Sequence, residues 1–256
     1  MEDIYETRLQ EIGRKLIENR KTLSVQGSDW GRIKDYSPSN CPIEVANEFL
    51  LCCLIDYRSD TFAAWRNGMT YFRSLPAEDR NSLWKMISSI PKDVWESEDK
   101  YRQCGLHWMR PAHNRLWRIA YDVCLYFDGD PRNIWQGDDP FDVFCRLYYI
   151  GAGPQISRMI VGALKDCMYI TGKGDVKADT HVCRVLARII EGINEIPALD
   201  AVYLARKIYP YDPWLLDWPL WYLGRSKCKS DSPSCEECYL KPKCKFAEKY
   251  HYANHA

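Results

Sequence analysis

IGAGPQ at residues 150–155 and KADTHV at residues 177–182 are the two motifs that organise this sequence. In the first motif, two glycines one residue apart indicate a tight turn whose backbone can approach another molecule closely, and the proline suits the first turn of the next helix. Such a turn directs backbone N–H groups at an anion. The second motif places a single carboxylate, Asp179, directly before a new helical run. The stretch from residue 149 to residue 184 therefore pairs a hairpin suited to phosphate with one acid.

The length and composition are those of an ordinary globular protein. The sequence has 256 residues, of which 46% are hydrophobic, enough for one large domain or two small ones. The formal net charge at pH 7 is zero, so a polyanion would have to meet a local basic surface. The acidic N-terminus carries no secretory signal, and no uncharged apolar run is long enough to span a bilayer. We therefore expect an intracellular protein, in the cytoplasm and nucleoid or in a nucleus, with no membrane contact.

Apolar residues recur at helical spacing along most of the chain, and strand-like alternation is almost absent. We therefore predict an all-α fold of many short helices. The spacing predicts helices over residues 4–23, 42–55, 70–75, 77–89, 98–103, 112–126, 140–149 and 155–169, with further helices near Thr61 and after Asp179. Regular periodicity ends after a Trp- and Pro-rich run at residues 212–221, and we predict that the tail beyond it is a loop folded around a bound group.

Four cysteines in this tail carry the strongest chemical signal. They are separated by six, two and five residues, at Cys228, Cys235, Cys238 and Cys244. Four thiolates suit either zinc or an iron–sulfur cluster. A zinc ribbon normally has two Cys-x-x-Cys knuckles, whereas this segment has one, so the spacing favours a [4Fe–4S] cluster. A zinc site and disulfides are the alternatives, the latter disfavoured by the missing signal peptide.

Basic residues surround the cysteines. They are Arg225, Lys227, Lys229, Lys241, Lys243 and Lys245. One interpretation is a solvated face that offsets the charge of the thiolates. The other is a surface that contacts phosphate, with Lys227 and Lys229 as the predicted DNA contacts.

The hairpin, the Asp179 motif and the cysteine spacing, in this order, resemble the helix-hairpin-helix DNA glycosylases of the endonuclease III and adenine-mispair glycosylase type. The resemblance implies a two-lobed all-α fold and a monomer that acts on double-stranded DNA with an altered base. A helical barrel domain is expected at residues 39–174, with the helix-hairpin-helix at about 140–170. The cluster domain is expected to combine residues 1–38 with residues 175–256, and the four cysteines at residues 228–244 to hold a [4Fe–4S] cluster.

The resemblance also implies a mechanism. A base inside a duplex is unreachable, so the enzyme extrudes the nucleotide and holds it in a pocket. Backbone amides around Gly151, Gly153 and Gln155 would grip a phosphate. Cleavage of the N-glycosidic bond develops positive charge on the sugar. The Asp179 carboxylate would either stabilise this charge or activate the attacking water. The alternative role of Asp179 is a helix N-cap.

Gln155 departs from the pattern of relatives that also cut the DNA backbone. In those relatives a lysine at this position forms a Schiff base with the sugar, and an amide nitrogen is not a nucleophile. We therefore predict a monofunctional glycosylase. The alternatives are a bifunctional glycosylase and AP lyase that uses another amine, and a non-catalytic iron–sulfur module for DNA binding or redox sensing.

The predicted base pocket rests on aromatic and hydrogen-bonding residues, because flipped bases are held by stacking and by bonds to their edges. Tyr57, Arg58 and Tyr149 are the main candidates, and Tyr57 or Arg58 could fill the gap left by the extruded base. His113 and Trp117 are further candidates, for which core packing is the alternative role.

Overall fold

The computed structural model describes residues 2–23, 30–56, 60–105, 110–137 and 139–253. Across these ranges the chain forms helices and turns and contains no strand, so the predicted all-α fold is confirmed. No helix in the described ranges combines the length and the apolar character needed to cross a bilayer.

Fourteen α-helices are described. They are α1 (Glu2–Thr22), α2 (Ile43–Ile55), α3 (Thr61–Ser74), α4 (Ala77–Asn81), α5 (Leu83–Ser89), α6 (Lys92–Trp95), α7 (Glu98–Gln103), α8 (Arg110–Phe127), α9 (Pro140–Tyr149), α10 (Pro154–Asp166), α11 (Thr180–Leu186), α12 (Ala198–Ile208), α13 (Asp217–Ser226) and α14 (Lys245–Ala253). A π-helical turn, Ala187–Glu191, extends α11, and short 3₁₀ turns include Pro213–Leu216, Cys235–Glu237 and Lys241–Lys243.

The chain divides into two compact units. Unit 1 comprises the described residues of Met1–Ser28 and Lys173–Ala256, and unit 2 those of Asp29–Gly172. The hairpin motif therefore belongs to unit 2, whereas Asp179 and the four tail cysteines belong to unit 1.

Unit 2 is built around α2. This helix is mostly apolar and is buried along almost its whole length, as expected for a helix at the centre of a core, and its one polar face carries Glu44, Asn47 and Glu48. Helices α3, α5, α8 and α10 pack around it. Gly68 of α3 allows one of these approaches, because a Cβ there would lie 2.5 Å from Cδ1 of Ile55.

Unit 1 has its own core, formed by α1, α11, α12, α13 and α14. Helices α11 and α13 approach closely at Gly224, where a Cβ would lie 2.8 Å from Cβ of His181. Arg8 of α1 fixes the cysteine-bearing tail by donating hydrogen bonds to the carbonyl oxygens of Ile189 at 2.9 Å and Lys243 at 2.7 Å.

Several predicted boundaries need correction. Residues 70–75 are not a separate helix but the end of α3, since Gly68 sits against α2 without breaking the helix. Residues 77–89 form two helices, because Ser82 leaves the helical conformation with φ −119° and ψ 33°.

The tail after the Trp- and Pro-rich run is also more helical than predicted. Helix α13 begins inside this run and continues to Ser226, and α14 follows the last cysteine. Pro219 is tolerated in α13 because it lies in the first turn, where a backbone N–H has no partner within the helix.

Candidate functional site

The hairpin lies between α9 and α10 in unit 2. Asp139 caps α9 by accepting the backbone N–H groups of Phe141 at 2.7 Å and Asp142 at 3.2 Å. The turn itself requires positive φ at both glycines, 90° at Gly151 and 78° at Gly153. Only glycine adopts this conformation without strain, which explains the spacing of the motif.

The hydrogen bonds of the hairpin show which N–H groups remain for a ligand. The N–H of Gly151 donates to the carbonyl of Tyr148 at 3.0 Å, so it already serves the end of α9. Gly153 is the N-cap of α10 and supplies no side-chain cap, while Pro154 has no N–H. Because the first N–H groups of a helix lack partners inside it, those of Gly153 and Gln155 have no partner within α10.

Arg115 of α8 supports the hairpin from its carbonyl side. Its Nη2 donates to the carbonyl oxygens of Gly151 at 2.6 Å and Ala152 at 2.7 Å. These bonds fix the turn and place a guanidinium charge beside it. Arg115 could not be identified from the sequence, since it precedes the hairpin by more than thirty residues.

Gln155 is the second residue of α10 and is half-buried. Its Oε1 atom is buried, and no hydrogen-bond partner for it is found among the described residues. The position therefore presents an amide and no amine. Lys165, further along the same helix, donates from Nζ to the carbonyl of Gly172.

The predicted pocket residues have different environments. Tyr149 is 65% exposed, and its hydroxyl lies 3.2 Å from that of Tyr126. Tyr57 and Arg58 lie outside the described residues.

The two further pocket candidates serve the packing of unit 2. His113 is fully buried and stacks on Trp95 with ring centroids 4.4 Å apart. Trp117 donates from Nε1 to the carbonyl of Ile90 at 2.7 Å. These contacts are those of core residues, which is the alternative role given above for His113 and Trp117.

Asp179 in unit 1 is the N-cap of α11. Its Oδ1 accepts the backbone N–H groups of His181 at 2.9 Å and Val182 at 3.0 Å. Its own backbone N–H donates to the carbonyl of Lys177 at 2.6 Å. The residue is half-buried.

His181 and Arg184 extend this arrangement along α11. Arg184 Nη2 lies 3.0 Å from Nδ1 of His181, and because a guanidinium has no acceptor, the imidazole accepts and carries its proton on Nε2. Burial lowers the pKa of His181. The positive charges of Arg184 and Arg225 lower it further, whereas the negative charge of Asp179 raises it. The imidazole beside Asp179 is therefore neutral at pH 7.

The four tail cysteines line one cavity in unit 1, together with Arg188, Lys227, Lys241 and Phe246. All four are free thiols; Cys244 is buried and the other three are half-buried. Burial raises the pKa of the Cys244 thiol to about 11, so a metal would bind it by displacing its proton. No three or more His, Cys, Asp or Glu side chains of the described residues converge closely enough to hold a metal ion.

Arg188 contacts this set of sulfurs. Its Nη1 lies 3.6 Å from Sγ of Cys228 and donates to the carbonyl of Lys229 at 2.6 Å, while Nη2 donates to that of Ser230 at 2.8 Å. Its guanidinium lies 4.5 Å from the ring centre of Phe246. Arg184 and Arg188 share one face of the helix at an i, i+4 spacing, a pattern that is visible in the sequence.

The lysines of the cysteine segment differ in their pairing. Three form ion pairs, namely Lys227 with Glu237, Lys241 with Glu236, and Lys243 with Glu11. Lys229 is exposed. The glutamates reduce the positive charge that the sequence assigns to this segment.

No protein-family model and no curated protein sequence matches the chain. The fold does match solved structures. A trapped covalent intermediate of endonuclease III with DNA, an estranged-adenine complex, has a TM-score of 0.58 at 17% identity, covering 80% of this chain and 86% of that chain. A non-covalent endonuclease III–DNA complex has the same TM-score at 18% identity, again covering 80% and 86%.

A third similar structure is a thermostable thymine-DNA glycosylase. Its TM-score is 0.63 at 14% identity, and the match covers 95% of this chain and 98% of that chain. The chain therefore has the all-α helix-hairpin-helix fold of endonuclease III and this thymine-DNA glycosylase, which confirms at the level of fold the resemblance predicted from its sequence.

Proposed function

We propose that this protein is a DNA glycosylase that extrudes an altered base from double-stranded DNA and hydrolyses its N-glycosidic bond. The observation that carries the proposal is the placement of Asp179, a half-buried acidic residue at the start of α11, in a chain with this fold. The solved structures of endonuclease III with DNA support the choice of DNA as the partner. We expect the protein to act as a monomer.

The hairpin would bind the DNA strand through a phosphate. The N–H groups of Gly153 and Gln155 lie at the start of α10 and have no partner within the helix, and the helix dipole there also favours an anion. Arg115 adds a positive charge beside the turn. A contact of this kind fixes the register of the protein on the strand and reads no sequence. Lys229 is the remaining exposed basic residue among the predicted DNA contacts.

Asp179 would act on the sugar of the extruded nucleotide. As the glycosidic bond breaks, positive charge develops on the deoxyribose, and an ionised carboxylate stabilises it or activates a water. The two capping bonds both go to Oδ1, so Oδ2 takes part in neither. The neutral His181 next to Asp179 adds no second charge to the site.

The glycosylase is expected to be monofunctional. A lyase step needs an amine at the sugar, and Gln155 offers only an amide. The first alternative, a bifunctional enzyme, would have to use another lysine, and Lys165 is engaged with Gly172. The second alternative, a non-catalytic DNA-binding or redox-sensing module, gives Asp179 no role beyond its cap.

We infer that the cysteine cavity would hold a [4Fe–4S] cluster in preference to a single zinc ion. Zinc needs four sulfurs about 2.3 Å from one centre, whereas the described ligands do not converge in this way and instead surround a cavity. The cluster would be held by the four tail cysteines, with Arg188 donating toward Cys228. When bound, it would crosslink a segment that has little apolar core and would add a one-electron redox centre.

A panel of duplexes, each with one altered base, tests the proposed activity. Abasic-site formation is measured after hot alkali, and nicking without alkali is measured in parallel. We expect at least one duplex to yield abasic sites without nicks. Borohydride in the same reaction should trap no covalent protein–DNA adduct, and an adduct would establish the bifunctional alternative.

A further inference from the structure

A second carboxylate holds the turn that precedes Asp179. Oδ1 of Asp217, the first residue of α13, accepts the backbone N–H of Lys177 at 2.5 Å. The carbonyl of Lys177 in turn accepts the N–H of Asp179 at 2.6 Å. Two short hydrogen bonds in series therefore connect the Asp217 side chain to the Asp179 backbone.

The same segment is attached at its other end. Oδ1 of Asp212 accepts the N–H of Gly174 at 2.8 Å, and the carbonyl of Gly174 accepts the N–H of Trp214 at 2.9 Å. Residues 174–179 are thus bound at both ends to residues 212–217. Helix α13, which begins with Asp217, is itself fixed against α11 where Gly224 meets His181. These contacts fix the turn relative to α11, the helix that Asp179 caps.

Burial favours the neutral form of the Asp217 carboxyl group. Although the residue keeps some exposure, burial of its carboxyl group raises its pKa to about 8, and repulsion from Asp179 acts in the same direction. Lys177 and Arg20 of α1 oppose this shift. Of the other elements packed here, α11 brings the neutral His181, and α12 brings Arg206, which is paired with Asp175 at 2.7 Å. A neutral carboxyl still accepts the Lys177 N–H through its carbonyl oxygen, and it leaves the negative charge on Asp179.

We propose that Asp217 is a positioning residue for Asp179, holding the Lys177 backbone and so the turn that directs the Asp179 carboxylate at the sugar. The inference rests on the proposed role of Asp179 in excision. Ionisation of Asp217 would strengthen its hydrogen bond with Lys177 but would also place a second negative charge near Asp179, and the repulsion would displace the Asp179 carboxylate.

The first test measures single-turnover excision at saturating enzyme, on a duplex of the panel that the wild type processes. Asp217→Ala removes the acceptor, and we expect the excision rate to fall about a hundredfold with an unchanged Kd for the duplex, as for a misplaced catalytic group. Asp217→Asn keeps a neutral acceptor and should retain most of the wild-type rate at pH 7. The wild-type rate should fall as the pH rises through about 8, and the Asp217→Asn rate should lack this step.

The second test measures unfolding by denaturant as a function of pH and needs no substrate. Because the folded protein holds the Asp217 proton up to about pH 8 while the unfolded chain releases it near the ordinary value of 3.8, stability is lost as the pH rises between these values. As the pH rises over this range, the unfolding midpoint of Asp217→Asn should therefore increase relative to that of the wild type. Above this range, the difference between the two midpoints should stay constant. Asp212→Asn is the control, since it removes the other carboxylate that accepts a backbone N–H on this segment, and it should keep the wild-type pH dependence.

The outcomes separate the two proposals. If no duplex is processed by the wild type, the proposed function fails, while the unfolding curves still report on Asp217. If the wild type excises a base and Asp217→Ala does so at the same rate, the positioning role is wrong. Equal pH dependence of unfolding in the wild type and Asp217→Asn would overturn the inference that Asp217 is held neutral beside Asp179.

Discussion

Asp179 accepts the backbone N–H of His181 through Oδ1, at 2.9 Å. The second capping bond, from Val182, goes to the same oxygen. The two roles considered for this carboxylate therefore do not exclude each other, because one oxygen can cap α11 while the other faces a substrate. Capping also fixes the side-chain rotamer, which orients the second oxygen before any ligand binds.

The first prediction concerns the replacement Asp179→Asn. Asparagine caps helices about as well as aspartate, so the unfolding midpoint should stay close to that of the wild type. The negative charge is lost, and excision should fall about a hundredfold or more. Single-turnover kinetics and denaturant unfolding of the same preparations check both parts.

Asp175→Asn is the matched control, since Asp175 lies four residues earlier in the same segment and pairs with Arg206. Its excision rate should be that of the wild type. Excision that survives Asp179→Asn unchanged would show that the carboxylate acts only as a cap.

The second prediction concerns Gly153→Ala in the hairpin. Gly153 has φ 78°, so a side chain strains the backbone and shifts the first N–H groups of α10. We expect the Kd for duplex DNA to rise about tenfold. The slope of log Kd against log salt should fall by about one, which corresponds to the loss of one phosphate contact.

Gly137→Ala controls for the strain alone. Gly137 also has a positive φ, 102°, and a Cβ there would meet nothing within 4 Å. This variant should lose a similar amount of stability and bind DNA like the wild type. Equal weakening of DNA binding in both variants would argue against a phosphate contact at the hairpin.

The third prediction concerns the approach of α13 to α11. In Gly224→Ala the new Cβ would lie 2.8 Å from Cβ of His181, so one helix must move. We expect a loss of about 1 to 3 kcal/mol in the free energy of unfolding, together with slower excision because His181 and Asp179 belong to the same helix start. Denaturant unfolding and single-turnover excision measure the two effects.

Ser226→Ala on the same helix is the comparison. Its hydroxyl donates only to the carbonyl of Tyr222 at 2.8 Å, near the end of α13. Stability and excision should both be close to those of the wild type. If Gly224→Ala behaves like Ser226→Ala, the close approach of the helices does not matter for either property.

The fourth prediction concerns the cysteine cavity. The wild type should contain iron and acid-labile sulfide and should absorb visible light, and Cys238→Ser should lose all three together with thermal stability. Cys145→Ser removes an exposed cysteine of α9 and should change none of them. A colourless wild-type protein with one stoichiometric zinc would contradict the cluster.

Much of this fold could be read from the sequence. The apolar spacing predicted α7 and α9 with their observed ends, and the IGAGPQ motif predicted the turn between α9 and α10. These signals are local: a cap, a proline or a glycine pair acts within a few residues. The tail helices α13 and α14 were missed because aromatic residues, prolines and cysteines obscure their spacing, and packing in unit 1 decides their conformation.

The candidate site was only partly predictable, for the same physical reason. Asp179 was identified from its position between two motifs. Arg115 and Asp217 were not identified. Each contacts its motif through a hydrogen bond with a backbone group more than thirty residues away in the sequence. Such bonds go to backbone groups, which every residue has, so they leave no pattern in the sequence.

The central claim is that Asp179 catalyses base excision in this chain. The most direct measurement is abasic-site formation on the panel of altered-base duplexes, under single-turnover conditions, with wild-type protein and Asp179→Asn side by side. We predict that the wild type releases a base from at least one duplex and that Asp179→Asn binds this duplex equally well but releases the base about a hundredfold more slowly. Equal release by both proteins, or no release by the wild type from any duplex, would contradict the claim.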